Sequence, residues 1–447
     1  MDENEAPLPT KEDAIKVCDA ISSDISKIKK LSDEDEDLRF KFYKNIVDNL
    51  ETLKKYEGID HFSDILFDSS LNSQFSFLVS TPNTEISSSF ISLLTDICED
   101  STTIDIIRRS DYLVTAIAGC LPLDEVNIQT DAQFLYNTFN LIAVILDGCE
   151  DAQGFADTIL KNTELLELVK RQFKRDDFDE NVLAATETLA ILLQIYPQFI
   201  GESDSELLHL LLRFVANERN PKSASEDEAA HNGFNAVTLF AIDEKGNEML
   251  VELRGIEILL NGWSSHSKTA MLAIKSLESA LAASTPCCEQ FIEFGGIKKL
   301  FRALNDPATL TSKKLSTRII GILDALLTML PDNSLSFKRV LKKFIENEYE
   351  KISKLIKLSE FVFENVTDDD ADSMDTFQLC SCCLLILLAY LPNEAKAVII
   401  ENLSKSETLD FQLLIDTAEL RIEEAPAIAD KVRNGITILV QLVENVD

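Results

Sequence analysis

Catalysis needs a nucleophile, a base and a group to hold developing charge, gathered in one concavity. The residue types for this are present, but their spacing does not gather them. The four histidines, His61, His209, His231 and His266, lie in unrelated contexts, and His209, within residues 207–212, reads as a helix-edge residue rather than a ligand. Nine cysteines (Cys18, Cys98, Cys120, Cys149, Cys287, Cys288, Cys380, Cys382 and Cys383) fall mostly in apolar runs without a secretory leader, as reduced core thiols do. Cys380-Ser381-Cys382-Cys383 is dense enough to suggest a metal, yet it continues directly into an apolar helix and has no second Cys/His pair nearby. Gly295-Gly296 marks a helix boundary, where glycine accepts positive φ, rather than a phosphate loop. Acidic pairs are abundant, but among 77 Asp and Glu residues their coincidence carries no information. The expectation is a chain without catalytic centre, metal or cofactor.

The elements that position these residues follow a long repeat. A stretch of the form small or Gly residue, Ile or Leu, two polar residues and Leu-Leu recurs, in whole or in part, as Asn162-Thr163-Glu164-Leu165-Leu166, Asp204-Ser205-Glu206-Leu207-Leu208, Arg254-Gly255-Ile256-Glu257-Ile258-Leu259-Leu260 and Gly295-Gly296-Ile297-Lys298-Lys299-Leu300. With Leu71 and Asp111 counted in, the starts fall at 71, 111, 163, 205, 255 and 296, in steps of 40, 52, 42, 50 and 41. Armadillo and HEAT units repeat at about 40–47 residues. The spacing therefore predicts an all-α armadillo/HEAT-like α-solenoid, a superhelix with two lengthened units, which works mainly as a surface. Such stacking also explains how 447 residues, with 13 Gly and 11 Pro, can fold without a linker dividing them. Strand signals are poor.

Apolar stripes at helical period cover residues 86–97, 135–146, 182–193, 234–240, 269–281 and 318–330, each predicted as the second helix of a pair ahead of the next Leu-Leu third helix. Residues 1–37 read as an acidic, partly disordered arm containing one amphipathic helix (Ile15, Cys18, Ile21, Ile25, Ile28) that opens at Thr10. Residues 38–70 read as an N-terminal helical cap, 71–363 as the repeats, 364–376 as an acidic loop and 377–447 as a C-terminal helical cap. Residues 217–231 read as an exposed connector. The apolar run at 384–391 is a buried helix, since a bilayer span needs about 20 apolar residues.

With 42 Lys and Arg against 77 Asp and Glu, the formal charge is −35. That field repels phosphate backbones and favours cationic protein partners, so no direct nucleic-acid binding is expected. Trp263 is the only tryptophan, and with Asn261 it cannot build the Trp/Asn ladder of importin-type armadillo receptors.

Three blocks carry a family resemblance. Leu38-Arg39-Phe40-Lys41-Phe42 is similar to Leu-Arg-Ile-Lys-Phe of the beta-catenin-like protein 1 family, and Asp177-Phe178-Asp179-Glu180-Asn181 with Glu187-Thr188-Leu189-Ala190-Ile191-Leu192-Leu193-Gln194 is similar to its Phe-Asp-Ala-Asn and Glu-Val-Leu-Ala-Ile-Leu-Leu-Gln. Lys343-Phe344-Ile345-Glu346-Asn347-Glu348-Tyr349-Glu350-Lys351 resembles its Lys-Phe-Thr-Glu-Asn-Asp-Ser-Glu-Lys. The order agrees from about residue 38 to 426. The resemblance implies a non-enzymatic nuclear scaffold of the spliceosome, in the assembly around a U-box ubiquitin ligase and a Myb-domain partner. It implies binding of basic, nuclear-localisation-like segments of splicing factors, a tri-snRNP protein among them, and leaves open pairing of two copies through the N-terminal region. Relatives have a basic import signal where this N-terminus is acidic, so entry to the nucleus with a partner is expected. A general nuclear-import adaptor, or an armadillo scaffold unrelated to splicing, is the alternative. On the predicted third helices the residues expected to face a basic guest are Asp111, Glu164, Glu167, Glu206 and Glu257, with Trp263 offering its ring to an aliphatic stem or guanidinium.

Overall fold

The fold comes from a computed structural model, which describes residues 10–32, 34–56, 59, 61–98, 101–109, 132–162, 165–202, 205–366 and 371–444. Among the described residues all regular structure is helical. The chain divides into two compact units, residues 1–202 with 222–236, and residues 203–221 with 237–447.

The first unit contains α1 (Lys11–Ile28), α2 (Glu36–Lys54), α3 (Phe62–Asp68), α4 (Phe75–Ser80), α5 (Thr84–Asp96), α6 (Ser101–Arg109), α7 (Ala132–Gly148), α8 (Ala152–Asn162), α9 (Leu165–Lys174), α10 (Glu180–Ile195) and α11 (Gln198–Glu202). The second opens with α12 (Ser205–Asn217). Next, α13 (Ala224–Ile242) gives its first part to the first unit and its last part to the second. The second unit continues with α14 (Glu244–Glu252), α15 (Gly255–Gly262), α16 (Ala270–Ala283), α17 (Thr285–Glu293), α18 (Gly296–Asn305), α19 (Lys313–Met329), α20 (Leu335–Ile345), α21 (Glu350–Glu364), α22 (Ala371–Tyr390), α23 (Asn393–Ser404), α24 (Phe411–Glu424) and α25 (Ala429–Glu444).

Local chemistry sets the helix starts. The side chains of Thr10, Asn83, Asp179, Asp243, Ser284, Ser312, Ser334 and Asp410 each accept a bond from an otherwise orphaned amide of the first turn. Gly295 takes φ 84 between α17 and α18, the left-handed conformation that its sequence position predicts.

The core of each unit is a row of long helices packed side by side: α2, α5, α7 and α10 in the first, α16, α19, α22 and α25 in the second. All the apolar stripes lie on helices of the predicted positions. Polar ties cross the rows at the repeat interval. Asn137 Nδ2 donates to the carbonyl and hydroxyl of Ser88, both at 3.0 Å, and the Thr188 hydroxyl donates to the Phe139 carbonyl at 3.3 Å. In the second unit Arg318 reaches Glu278 at 2.6 Å, forty residues away.

Four expectations about the periphery change. Helix α1, expected in a loosely attached arm, packs against α2 with Ala14, Cys18, Ile21 and Ile25 fully buried. An amphipathic stripe finds its partner wherever one exists, and acidity of the flanking segments does not prevent it. The connector at 217–231 is mostly helix from Ala224 onward, and its remaining turn is pinned, because the amides of Lys268 and Thr269 donate to the Arg219 carbonyl. The acidic loop at 364–376 is shortened, with α22 starting at Ala371 and residues 367–370 lying outside the described set. Within the C-terminal segment the sequence suggests helices at 377–391, 408–422 and 427–443, and α23 lies between the first two, with few buried apolar positions to announce it, Ala395, Ile399 and Leu403.

The far end of the second unit is closed by α25. Lys431 donates to the carbonyls of Leu327 (2.9 Å), Thr328 (3.1 Å) and Leu330 (2.6 Å), satisfying the acceptor end of α19. Gly435 lets α25 approach α22 so closely that a Cβ would overlap the backbone carbonyl of Leu385. Gly435→Ala is expected to destabilise the second unit by about 1–3 kcal/mol through overpacking, read as a lower urea midpoint.

Candidate functional site

The six residues singled out on the sequence do not form one constellation among the described residues. Asp111 and Glu164 lie outside the described residues. Glu167 sits on α9 in the first unit and is paired at 3.1 Å with Lys170, whose side chain is buried. Glu206 (α12) and Glu257 (α15) belong to the second unit, on helices that pack against each other; Glu206 is exposed and Glu257 pairs with Arg254 at 2.8 Å. Trp263 follows α15, half-buried, and its carbonyl accepts from Lys299 Nζ at 2.6 Å.

Taken together, the four predicted third helices α9, α12, α15 and α18 carry more cations than anions, although α15 alone has Glu257 and no cation. α9 holds Lys170, Arg171 and Lys174 beside Glu167, and α18 holds Lys298, Lys299 and Arg302 with no carboxylate at all. Burial pushes the Lys299 ammonium down from its ordinary value, and the nearby charges of Arg302 and Arg219 add to this.

The concentrated carboxylates are elsewhere, on α14. Glu244, Glu248 and Glu252 are spaced four residues apart, so they share one helix face. They border a cleft of about 820 Å³, together with Ile242, Val251 and Pro286. None of the three has a salt-bridge partner among the described residues. Ile242 at the rim is 57% exposed, an unusual position for a large aliphatic residue. The floor is rigid. Buried Asn247 donates to the carbonyls of Ala241 (2.7 Å) and Ala280 (3.3 Å) and accepts from the Cys287 thiol at 3.2 Å. Asp243 caps α14 through the Gly246 amide at 2.8 Å, and Gln290 donates to the Val251 carbonyl at 2.8 Å. Together these bonds lock the α13–α14 turn onto α16 and α17. The arrangement can hold a cation with an aliphatic stem: carboxylates for the head, Ile242 and Val251 for the methylenes. The spacing in Glu244-Lys245-Gly246-Asn247-Glu248 was visible in the sequence, but nothing there distinguished it from dozens of other acidic pairs.

The chain belongs to a known family. The model described as "Catenin-beta-like, Arm-motif containing nuclear" matches residues 43–380. Among curated relatives, the beta-catenin-like protein 1 homolog of Schizosaccharomyces pombe is 27% identical over 303 residues, covering 64% of this chain and 52% of the relative. Beta-catenin-like protein 1 of Mus musculus is 25% identical over 63% of this chain and 53% of its own length, and that of Homo sapiens is 24% identical over the same shares. The chain thus spans about half the length of the curated relatives it matches. An engineered protein of known crystal structure aligns over 96% of this chain and 94% of its own with a TM-score of 0.58 and 14% identity, which is a likeness of fold. The predicted armadillo-type all-α architecture and the catenin-beta-like resemblance are both borne out by these matches, in a family described as nuclear.

The cysteines of this family member read as core packing. All described cysteines are buried. Burial raises the Cys380 thiol to about 12 and pushes the Cys382 and Cys383 thiols well up as well, so none is a ready thiolate ligand. Among the described residues no group of three or more His, Cys, Asp or Glu is placed to hold a metal ion. No described helix is long and apolar enough to cross a membrane.

Beside these thiols lies Asp324, buried on α19 with Oδ1 unpartnered. Burial raises its carboxyl from 3.8 to about 7, opposed only partly by the charge of Arg421. Between those values the folded chain holds a proton that the unfolded chain has released, so stability falls as pH rises from about 4 to about 7 and levels off above. Asp324→Asn removes this slope. Urea midpoints of the variant relative to the parent are expected to rise from pH 5 to pH 8, and a difference independent of pH would contradict the assignment.

Proposed function

We propose that this chain is a non-enzymatic interaction scaffold of the pre-mRNA splicing machinery, which takes Lys/Arg-rich, nuclear-localisation-like segments of splicing factors on an acidic surface. Membership of a nuclear catenin-beta-like family and an armadillo-type fold support the scaffold role. Myb-domain and tri-snRNP splicing proteins are the partners this reading favours, with entry to the nucleus alongside one of them and with two copies able to pair through the N-terminal region. The observation that carries the choice of guest is the row of unpaired carboxylates on α14, within a chain of net charge −35.

The α14 cleft is the proposed seat. Each exposed pair contributes only about 0–1 kcal/mol and is screened beyond about 8–10 Å at physiological salt, so several carboxylates must act together. In the second unit Glu206 and Glu257 with Trp263 are proposed as further contacts for such a guest, and Asp111, Glu164 and Glu167 are proposed separately as contacts of the same kind.

Two measurements test this. Affinity purification from nuclear extract should recover spliceosomal proteins; recovery of a β-type import carrier with many unrelated basic cargoes instead would favour the import-adaptor reading. In fluorescence anisotropy, a Lys/Arg-rich peptide should lose affinity steeply with added salt, and Glu244→Lys with Glu248→Lys should weaken it by about tenfold or more, equivalent to about 1.4 kcal/mol. If that pair has no effect while Glu206→Lys with Glu257→Lys does, the seat moves to the third helices. If neither pair matters, the acidic surface is not the binding site.

A further inference from the structure

A second cleft in the same unit has the opposite sign. It measures about 500 Å³ and is lined by Lys298 and Arg302 of α18, Lys343 of α20, Lys351 of α21, and by Phe301 and Asp306. Lys298 and Arg302 stand four residues apart, on one face of their helix. Neither has a salt-bridge partner among the described residues.

Lys351 is only 5% exposed, a position that lysine seldom takes unpaired. Its ammonium lies 5.9 Å from the centre of the Phe301 ring and 3.5 Å from Glu346. Phe301 is itself held edge-on by Phe344, with ring centroids 5.1 Å apart. Glu346 is shared. It also binds Lys343 at 2.9 Å, and the two lysines hold its carboxyl below the usual range. Three successive left-handed residues, Asn347, Glu348 and Tyr349, with φ of 56, 54 and 63, turn the chain between Glu346 and Lys351. The single carboxylate lining the cleft, Asp306, is engaged in capping the next turn through the Ala308 amide at 3.0 Å.

A strongly acidic protein has therefore assembled four cations from three helices around one small concavity. Their mutual repulsion costs stability, and one internal carboxylate offsets it only in part. We propose that this cleft receives a phosphorylated serine or threonine of a partner polypeptide. A phosphate carries nearly two negative charges and three strong acceptor oxygens, so it can engage the Arg302 fork and more than one lysine at once, where a carboxylate satisfies fewer. A continuous nucleic-acid strand fits worse. Its successive phosphates would leave the cleft and meet the field of a chain with net charge −35, whereas a single phosphate feels chiefly the charges within about 8–10 Å. This inference does not depend on the acidic surface proposed above.

The test uses the full chain and a fluorescent peptide library with a fixed central phosphoserine and randomised flanks, its unphosphorylated counterpart, and a single-stranded oligouridylate. Phosphate-dependent binding is expected, and inorganic phosphate should compete with it. Lys298→Ala with Arg302→Ala removes two exposed cations and should leave the urea midpoint unchanged while weakening binding by about tenfold or more. Glu346→Gln releases Lys343 and Lys351 to the ligand and should tighten binding several-fold, a gain that loss of a merely structural contact would not produce. Equal binding of the two libraries, or phosphopeptide affinity unmoved by the double variant, would overturn the proposal. Preferential binding of the oligouridylate that is lost in the double variant would overturn it too, assigning the cleft to nucleic acid.

Discussion

Everything in either unit depends on long helices lying side by side in a row, each buried by the one before and the one after. Helix α7 shows what that demands: ten of its residues are buried, and they include Asn137 and Thr138 as well as eight apolar side chains. A helix enclosed on two sides cannot leave polar groups unanswered. Asn137 is therefore bonded to Ser88 on α5, and Thr138 to the Phe134 carbonyl of its own helix. The same requirement places Thr188 of α10 against the Phe139 carbonyl of α7, one repeat later. These ties fix register, because sliding a helix by one turn would strand a buried donor at a cost of about 1–3 kcal/mol.

That constraint explains which parts of the structure were legible in the sequence. Helices such as α5, α7 and α19 have a row neighbour on both sides, so their apolar periodicity had to be strong, and it located them. The Leu-Leu motifs likewise fall on α9, α12, α15 and α18, where Leu165, Leu207, Leu208, Leu259, Leu260 and Leu300 are buried. At the ends of the chain the constraint relaxes. Helix α1 carries as clear a stripe as the interior helices, and only the acidic residues around it suggested detachment; charge on the outer face says nothing about whether the inner face has a partner. Helix α23 buries too few apolar residues for its pattern to stand out. Phe40, on α2, is 71% exposed and would mislead any assignment of core by residue type.

The binding surfaces were far less legible, for a different reason. Burial leaves a periodic trace because it acts on every turn of a helix, whereas a surface site depends on which exposed residues from separate helices converge. Glu244, Glu248 and Glu252 form one face only because α14 is helical through Glu252, and they border a cleft only because Asn247 ties that helix to α16 and α17. Selecting acidic residues from the third helices counted anions without counting Lys298, Lys299 and Arg302 beside them. The Lys343 to Lys351 block drew notice as a likeness to a family, with nothing to indicate that its left-handed turn returns Glu346 between two lysines.

A net charge of −35 would make the whole surface uniformly repulsive to anions if charge were spread evenly. It is not. Within the second unit, Glu244, Glu248 and Glu252 on α14 have no cationic partner among the described residues, while α18 carries three cations and no carboxylate. Screening confines each group's influence to about 8–10 Å at physiological salt, so the two clefts can act on different guests despite a shared background. The background still matters at long range, where it accelerates the approach of basic segments and slows that of extended polyanions. Selectivity then divides into two steps with separate physical causes. The net field governs encounter, and the sign of the local cleft governs what stays. The proposed scaffold would discriminate between partners by those two steps, with the packed helices holding the two clefts of the second unit apart.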